Sequence, residues 1–175
     1  MRKMLKLGGR IFLVLVVILS VLLTVKLIRR TFFPRSTASA TAARGPTLLG
    51  AKVSVPGFDW SQGEYTIVLA LHKECEFCRL SAPFYQRLVR EMSGRADTRI
   101  IAALPHQVDE GRKYLDELGV QVSGVHQVDF KSMGIAYTPT ILLVDRQGTV
   151  TGLWAGKIPE KKEDRALSLL RRDIP

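Results

Sequence analysis

Acidic side chains are missing from the first 50 residues of this 175-residue chain. That segment carries nine of the 26 basic residues, so residues 51–175 hold 17 basic residues against all 16 acidic ones and are nearly neutral. The net charge of +10 therefore belongs to the N-terminal segment. A nucleic-acid-binding domain needs Lys and Arg clustered on its folded surface, so this distribution argues against nucleic acid as a partner.

The same segment contains the longest apolar run in the chain. Residues 11–28 include a single charged side chain, Lys26, and basic residues flank the run on both sides. As a helix it would be about 27 Å long, close to the hydrocarbon thickness of a bilayer. We expect a basic N-terminus at residues 1–10 and a single-pass transmembrane signal anchor at residues 11–28, which exports the following domain to the periplasm or another extracytoplasmic space. A cleaved signal peptide is the alternative, but the A-x-A motif at residues 38–40 lies more than ten residues beyond the run.

The rest of the chain is predicted to be a flexible tether at residues 29–48 and a folded domain at residues 49–175. The tether is rich in Thr, Ser, Ala, Pro and Arg. In the domain, apolar runs of strand length alternate with segments of helical periodicity, which predicts an α/β fold with a mixed central sheet. The predicted strands are 65–71, 98–104, 124–128, 140–145 and 149–156. The predicted helices are 75–92, 108–118 and 159–172, with a helical turn opened by Asp129. In the first helix, Leu80, Phe84, Leu88 and Met92 are expected on one apolar face.

The chain contains few cysteines: Cys75 and Cys78 are the only two. They follow a predicted buried strand and open a predicted helix. At a helix N-terminus, unpaired N–H groups and the helix dipole stabilise a thiolate, which favours Cys75 as a nucleophile. Cys78 lies one turn later, within reach for a disulfide. The pattern predicts a redox dithiol in which Cys75 attacks a substrate disulfide and Cys78 resolves the mixed disulfide.

The lack of further cysteines weakens the main chemical alternative, a metal site. Structural zinc needs four ligands, and only His72, His106 and His126 remain as candidates. His72 precedes Cys75 by three residues and could join a copper or zinc site, whereas His106 and His126 are expected at the surface or in loops. We expect no metal and no cofactor, but a copper- or zinc-binding module and a redox-inert binding domain both stay open. A lone pair of cysteines suits an oxidising compartment, since no stray thiol is left to mispair.

Three motifs spread over residues 50–172 resemble the thioredoxin superfamily, and within it the membrane-anchored TlpA/ResA-like (redoxin) thiol–disulfide oxidoreductases. They are C-E-F-C with Pro83 five residues later, Y-T-P-T-I-L-L-V-D-R-Q-G-T-V at residues 137–150, and the helix and strand at residues 108–129. The resemblance implies a thioredoxin-like fold with helices flanking the sheet. It also implies a cis peptide bond at Thr138–Pro139 that lies against the dithiol and takes part in substrate binding. Disulfides of exported proteins are the implied substrates, with a membrane-embedded or thioredoxin-like electron donor.

The sequence departs from this family at positions that modulate the dithiol. Glu74 replaces the usual Trp before the first cysteine, and Leu69 and Ser81 stand where relatives carry acidic side chains, so no base for Cys78 is identified. Glu76 and Phe77 lie between the two cysteines.

The charged residues beside the first cysteine oppose one another. Glu74 and Glu76 disfavour a Cys75 thiolate, whereas Lys73 and His72 favour it, which leaves the direction of its pKa shift open. Strong oxidants of this superfamily depend on a stabilised thiolate, so the two carboxylates predict a reductant of selected disulfides.

Overall fold

The computed structural model describes residues 48–95 and 97–173. The predicted basic N-terminus, the transmembrane segment and the tether up to residue 47 lie outside the described residues. Within the described ranges, no helix is both long enough and apolar enough to cross a bilayer.

A five-stranded mixed sheet runs through the described domain in the order β3-β2-β1-β4-β5. Its strands are β1 Tyr65–Ala70, β2 Thr98–Leu104, β3 Gly124–Gln127, β4 Thr140–Asp145 and β5 Val150–Ala155. β1, β2 and β3 are mutually parallel, whereas β4 pairs antiparallel with both β1 and β5. Each predicted strand is confirmed to within one residue at either end, because the buried apolar runs and the turn at residues 146–148 define these strands well.

The first predicted helix is two helices in the structure. The described residues form four α-helices, which are α1 Glu76–Leu80, α2 Ala82–Met92, α3 Val108–Glu117 and α4 Glu160–Asp173. The single helix predicted at residues 75–92 is interrupted at Ser81, two residues before Pro83. Proline has no N–H to donate, and its ring crowds the carbonyl four residues earlier, so a regular helix is not sustained there.

The interruption also corrects one core residue. Phe84, Leu88 and Met92 are buried as predicted, but Leu80 ends α1 and is 44% exposed. Tyr85 of α2 is buried although its position was not predicted to be.

The ends of the other helices follow their sequence signals. α3 stops before Gly119, which adopts φ +63 at the predicted helix end. Asp129 opens a turn as predicted: its carboxylate accepts hydrogen bonds from the Lys131 and Ser132 N–H groups, each at 3.2 Å.

Alternate residues of each strand enter two separate cores, because successive side chains of a strand point to opposite faces. In β1, Ile67 and Leu69 belong to one core and Val68 and Ala70 to the other. The first core gathers the apolar residues of α2, α3 and α4, so these helices flank one face of the sheet. The second core is covered by the irregular segments at residues 48–60 and 128–135.

One helix approaches the sheet especially closely. A Cβ added at Gly111 in α3 would lie 2.9 Å from Val125 Cγ1 and 3.3 Å from Leu104 Cδ1. Glycine therefore allows α3 to pack directly on β2 and β3. Because β1 and β2 are adjacent parallel strands, the β1–α1 and β2–α3 loops both begin at the same edge of the sheet.

Candidate functional site: the Cys75–Cys78 dithiol

The dithiol lies at the N-terminus of α1, as the sequence predicted. Cys75 is the N-cap residue, and its Sγ accepts a hydrogen bond from the Cys78 N–H at 3.3 Å. Cys75 is partly exposed, whereas Cys78 is fully buried in the core beneath α1. Both side chains are free thiols. One sulfur is therefore open to a partner and the other is shielded.

The two thiols have opposite pKa shifts. Burial acts to raise the pKa of Cys75, but hydrogen bonds from the Cys78 and Thr138 side chains and from the Cys78 and Phe77 N–H groups outweigh it and lower that pKa. Burial raises the pKa of Cys78 to about 12, and a Cys75 thiolate adds to the increase. The sequence left the direction of the Cys75 pKa shift open. In the structure this pKa is lowered, and hydrogen bonds affect it more than the flanking charges do.

The loop before β4 completes the dithiol environment. The Thr138–Pro139 peptide bond is cis, and the Cys75 thiol donates a hydrogen bond to the Thr138 carbonyl oxygen at 3.3 Å. The predicted cis bond and its place beside Cys75 are both confirmed. A hydrogen bond of 2.7 Å from the Thr140 hydroxyl to the Tyr137 carbonyl holds the loop on the sheet. The part that Thr138 and Pro139 play in substrate binding stays a prediction.

Exposed apolar side chains accompany the dithiol along the chain. Phe77, between the cysteines, is 58% exposed, and Tyr137, two residues before Pro139, is 60% exposed. Leu80 follows two residues after Cys78. These three side chains are thus candidates for contact with a substrate.

The charged residues beside Cys75 are bound to one another. The Lys73 ammonium lies 3.1 Å from Glu110 Oε2 and 3.9 Å from Glu74 Oε1. Glu74 Oε2 lies 2.7 Å from His72 Nδ1 and 3.0 Å from His106 Nε2. Glu76 is exposed. The carboxylate of Glu74 and the ammonium of Lys73 thus have partners of their own, which limits their effect on the dithiol.

His106 lies beside His72 and Glu74, a neighbourhood that the sequence did not predict. It was expected as a surface or loop histidine; it does lie in a loop, but its side chain is only 12% exposed. Its ring contacts the His72 ring edge-to-face with centroids 4.6 Å apart. A signal was present, since each histidine follows the last residue of a parallel strand by two positions. His126, by contrast, lies in β3 and packs against Phe58.

Two buried phenols near the dithiol were also missed. The hydroxyls of Tyr85 and Tyr114 are buried and have no hydrogen-bond partner among the described residues. Burial raises the pKa of Tyr114 to about 12 and that of Tyr85 further, and a charge on Cys78 acts in the same direction on both. They remain protonated at neutral pH and supply no base. The largest influences on the Cys78 pKa include no carboxylate either.

Comparison with known proteins finds similar structures but no similar sequences. No protein-family model matches the sequence, and none of the curated proteins matches it significantly. Solved structures do match. A protein described as the thiol:disulfide interchange protein DsbE from Chlorobium tepidum superposes with a TM-score of 0.56 at 20% identity, over 70% of this chain and 96% of its own.

Two further structures agree with it. A thiol:disulfide interchange protein from Bacteroides sp. gives a TM-score of 0.56 at 17% identity, over 72% of this chain and 90% of its own. StoA from Bacillus subtilis gives 0.50 at 13% identity, over 62% and 84% respectively. At such identities the likeness concerns the fold. The described domain therefore has the thioredoxin-like fold that the sequence predicted, with a mixed sheet flanked by helices.

Proposed function

We propose that this chain is a thiol–disulfide oxidoreductase of the redoxin type, with Cys75 as nucleophile and Cys78 as resolving thiol. The observation that carries the proposal is the asymmetry of the two sulfurs. Cys75 is accessible and its pKa is lowered, whereas Cys78 is buried and its pKa is raised to about 12. A nucleophile must be reached by its substrate and must ionise readily, and a resolving thiol needs only to reach the first sulfur.

The reaction proceeds by two exchanges. The Cys75 thiolate attacks one sulfur of a substrate disulfide, a mixed disulfide forms, and the other substrate sulfur leaves as a thiolate. Cys78, once deprotonated, attacks Cys75 Sγ and expels the second substrate thiolate. The substrate gains two electrons and the protein ends with a Cys75–Cys78 disulfide, which an electron donor must reduce again.

Substrate binding involves the exposed apolar side chains and the cis-proline loop. Thr138 is bonded through its carbonyl to the Cys75 thiol. When Cys75 loses its proton it can no longer donate, so this carbonyl becomes available to an N–H of an extended peptide. Pro139 has no N–H that would compete, and the exposed Phe77 and Tyr137 offer apolar area. This arrangement suits unfolded or extended protein segments that carry a disulfide.

The N-terminal sequence supports a location of this reaction outside the cytoplasm, at the membrane surface. The 18 apolar residues at 11–28 and the basic residues around them favour a retained single-pass anchor with the domain outside the cytoplasm. A tethered dithiol meets a membrane-embedded donor readily, although a thioredoxin-like donor would serve the same chemistry.

The local charges favour reduction over general oxidation. The Cys75 pKa is set mainly by burial and hydrogen bonds and not by a positively charged side chain, and the Lys73 ammonium forms an ion pair with Glu110. Strong oxidants depend on a strongly stabilised thiolate.

The assignment of roles is tested by trapping. The Cys78→Ser chain should accumulate mixed disulfides with partner proteins through Cys75, because no second thiol is left to release them. The matched Cys75→Ser chain should trap none, since Cys78 is buried. Non-reducing electrophoresis with mass spectrometry of the adducts measures both. Equal trapping by the two variants would contradict the assignment of nucleophile and resolving thiol.

A further inference from the structure

A second site lies beside the dithiol, where two loops meet. His72 and Glu74 come from the β1–α1 loop and His106 from the β2–α3 loop. One ligand atom from each of these residues lies within 4.8 Å of the other two. The loops are 32 residues apart in sequence and are brought together by the parallel pairing of β1 with β2.

We propose that His72, Glu74 and His106 bind a divalent transition-metal ion, with Zn²⁺ as the best match. Two imidazole nitrogens and one carboxylate oxygen form the three-ligand set of open zinc sites, in which water fills the remaining position. The exposed carboxylate of Glu74 leaves room for that water. The site would be an exception to the expectation of no metal drawn from the sequence, where His106 was not recognised as a neighbour of His72.

The present geometry is close to what the metal needs. Ligand atoms about 2.0–2.2 Å from a tetrahedral ion lie roughly 3.3 Å from one another. Here the nitrogen–oxygen separations are 2.7 Å for His72 and 3.0 Å for His106, so they must lengthen by roughly 0.6 Å and 0.3 Å. The two imidazole nitrogens lie within 4.8 Å of each other, so binding also requires the histidine side chains to rotate, together with the exposed Glu74.

The electrostatics agree with a cation at this position. The Glu74 carboxylate contacts both imidazoles and supplies the oxygen ligand between them. The nearest competing cation is Lys73, whose ammonium lies 3.9 Å from Glu74 Oε1 and closer, at 3.1 Å, to Glu110. Lys73 can keep Glu110 as its partner when a metal takes Glu74.

The site is distinct from the dithiol and can be tested apart from it. In the oxidised protein the two sulfurs are joined, so they offer no thiolate to a metal. The first 50 residues contain no His, Cys, Asp or Glu and add no competing ligand. The experiment therefore uses the untagged full chain in mild detergent, oxidised to the Cys75–Cys78 disulfide, and titrated with Zn²⁺ at pH 7.5 by calorimetry.

We expect one Zn²⁺ per chain, with weaker binding at pH 5 than at pH 7.5, because metal ligands must be deprotonated. His106→Gln, His72→Gln and Glu74→Gln should each weaken binding at least tenfold. The matched controls His126→Gln and Glu76→Gln change the same residue types outside the cluster and should leave the affinity unchanged. His72 and Glu74 are surface residues, so these two variants test the site even if His106→Gln fails to fold.

Three outcomes would overturn the proposal. One is the absence of stoichiometric binding by the oxidised chain. Another is binding that survives all three substitutions. The last is an equal loss in the control variants, which would indicate nonspecific binding to surface carboxylates. Replacement by Co²⁺ supplies an independent check, because a visible spectrum of four- or five-coordinate cobalt is expected only if the three ligands bind together.

Discussion

The difference in reactivity between the two cysteines can be calculated before it is measured. A thiol with a pKa of about 12 is ionised to about one part in 10⁴ at pH 8, whereas an ordinary thiol with a pKa near 8.5 is about one-quarter ionised. Cys78 should therefore have roughly 2,000-fold less thiolate than an unperturbed cysteine. A thiolate of higher pKa is a better nucleophile, and this recovers a factor of about 25–55. The remaining disadvantage is about 40–80-fold, before the steric protection of a fully buried side chain is counted.

The assay is alkylation of the reduced full chain by iodoacetamide at pH 8, followed by intact-mass spectrometry. Cys75→Ser reports on Cys78, and Cys78→Ser reports on Cys75 while it keeps a hydroxyl donor at residue 78. We expect Cys75 to react at least 50-fold faster, with half its maximal rate reached below the pH of an ordinary thiol because its pKa is lowered. Denatured samples of both variants should react alike, which controls for the reagent. Similar rates in the folded variants would refute the burial and pKa argument on which the roles of the two cysteines rest.

Three further predictions follow from the charges, the buried thiol and the N-terminal segment. An equilibrium titration of the full chain against glutathione should give a Cys75–Cys78 reduction potential below −180 mV. For reference, strong oxidants of this superfamily lie near −120 mV and thioredoxin near −270 mV, a span of roughly 7 kcal/mol. A value well above −180 mV would make oxidation or isomerisation the better description. The free energy of unfolding of the reduced chain should fall by about 1–2 kcal/mol more between pH 8 and pH 10 than that of Cys78→Ala, because the thiol stays protonated when folded and ionises when unfolded; parallel pH profiles would show that Cys78 does not titrate this way. Mass spectrometry of chain extracted from membranes should find residues 11–28 still attached, and a soluble product that begins near residue 41 would contradict the anchor.

The parts of the fold that sequence could predict are those whose signals are local. Buried apolar runs located β1, β2 and β4, and Gly119 located the end of α3. The interruption at Ser81 was harder, since it depends on how Pro83 meets the preceding turn, and the helical pattern continues across it. The cis bond at Thr138–Pro139 came from resemblance to a family and not from any pattern in the residues themselves.

The site was predictable only in part for the same reason. Cys75 and Cys78 are adjacent in sequence, so their chemistry could be read directly. His106 joins His72 only because β1 and β2 are parallel neighbours, and Tyr85 and Tyr114 approach the dithiol only because α2 and α3 share one core. The direction of the Cys75 pKa shift depends on hydrogen bonds that a list of nearby charges does not contain.

The glycine in α3 links the packing of the sheet to the chemistry of the dithiol loop. Glu110, the partner of Lys73, is the neighbour of Gly111, and His106 lies five residues before it. A single methyl group at residue 111 would lie 2.9 Å from Val125 Cγ1, so the packing of α3 on β3 has to change. We expect the start of α3 to shift and both side chains to move with it. The ion pair beside Cys75 and the convergence of the two histidines would loosen together, although the change lies outside the dithiol loop. A substitution there should therefore be assayed as a redox variant as well as a stability variant.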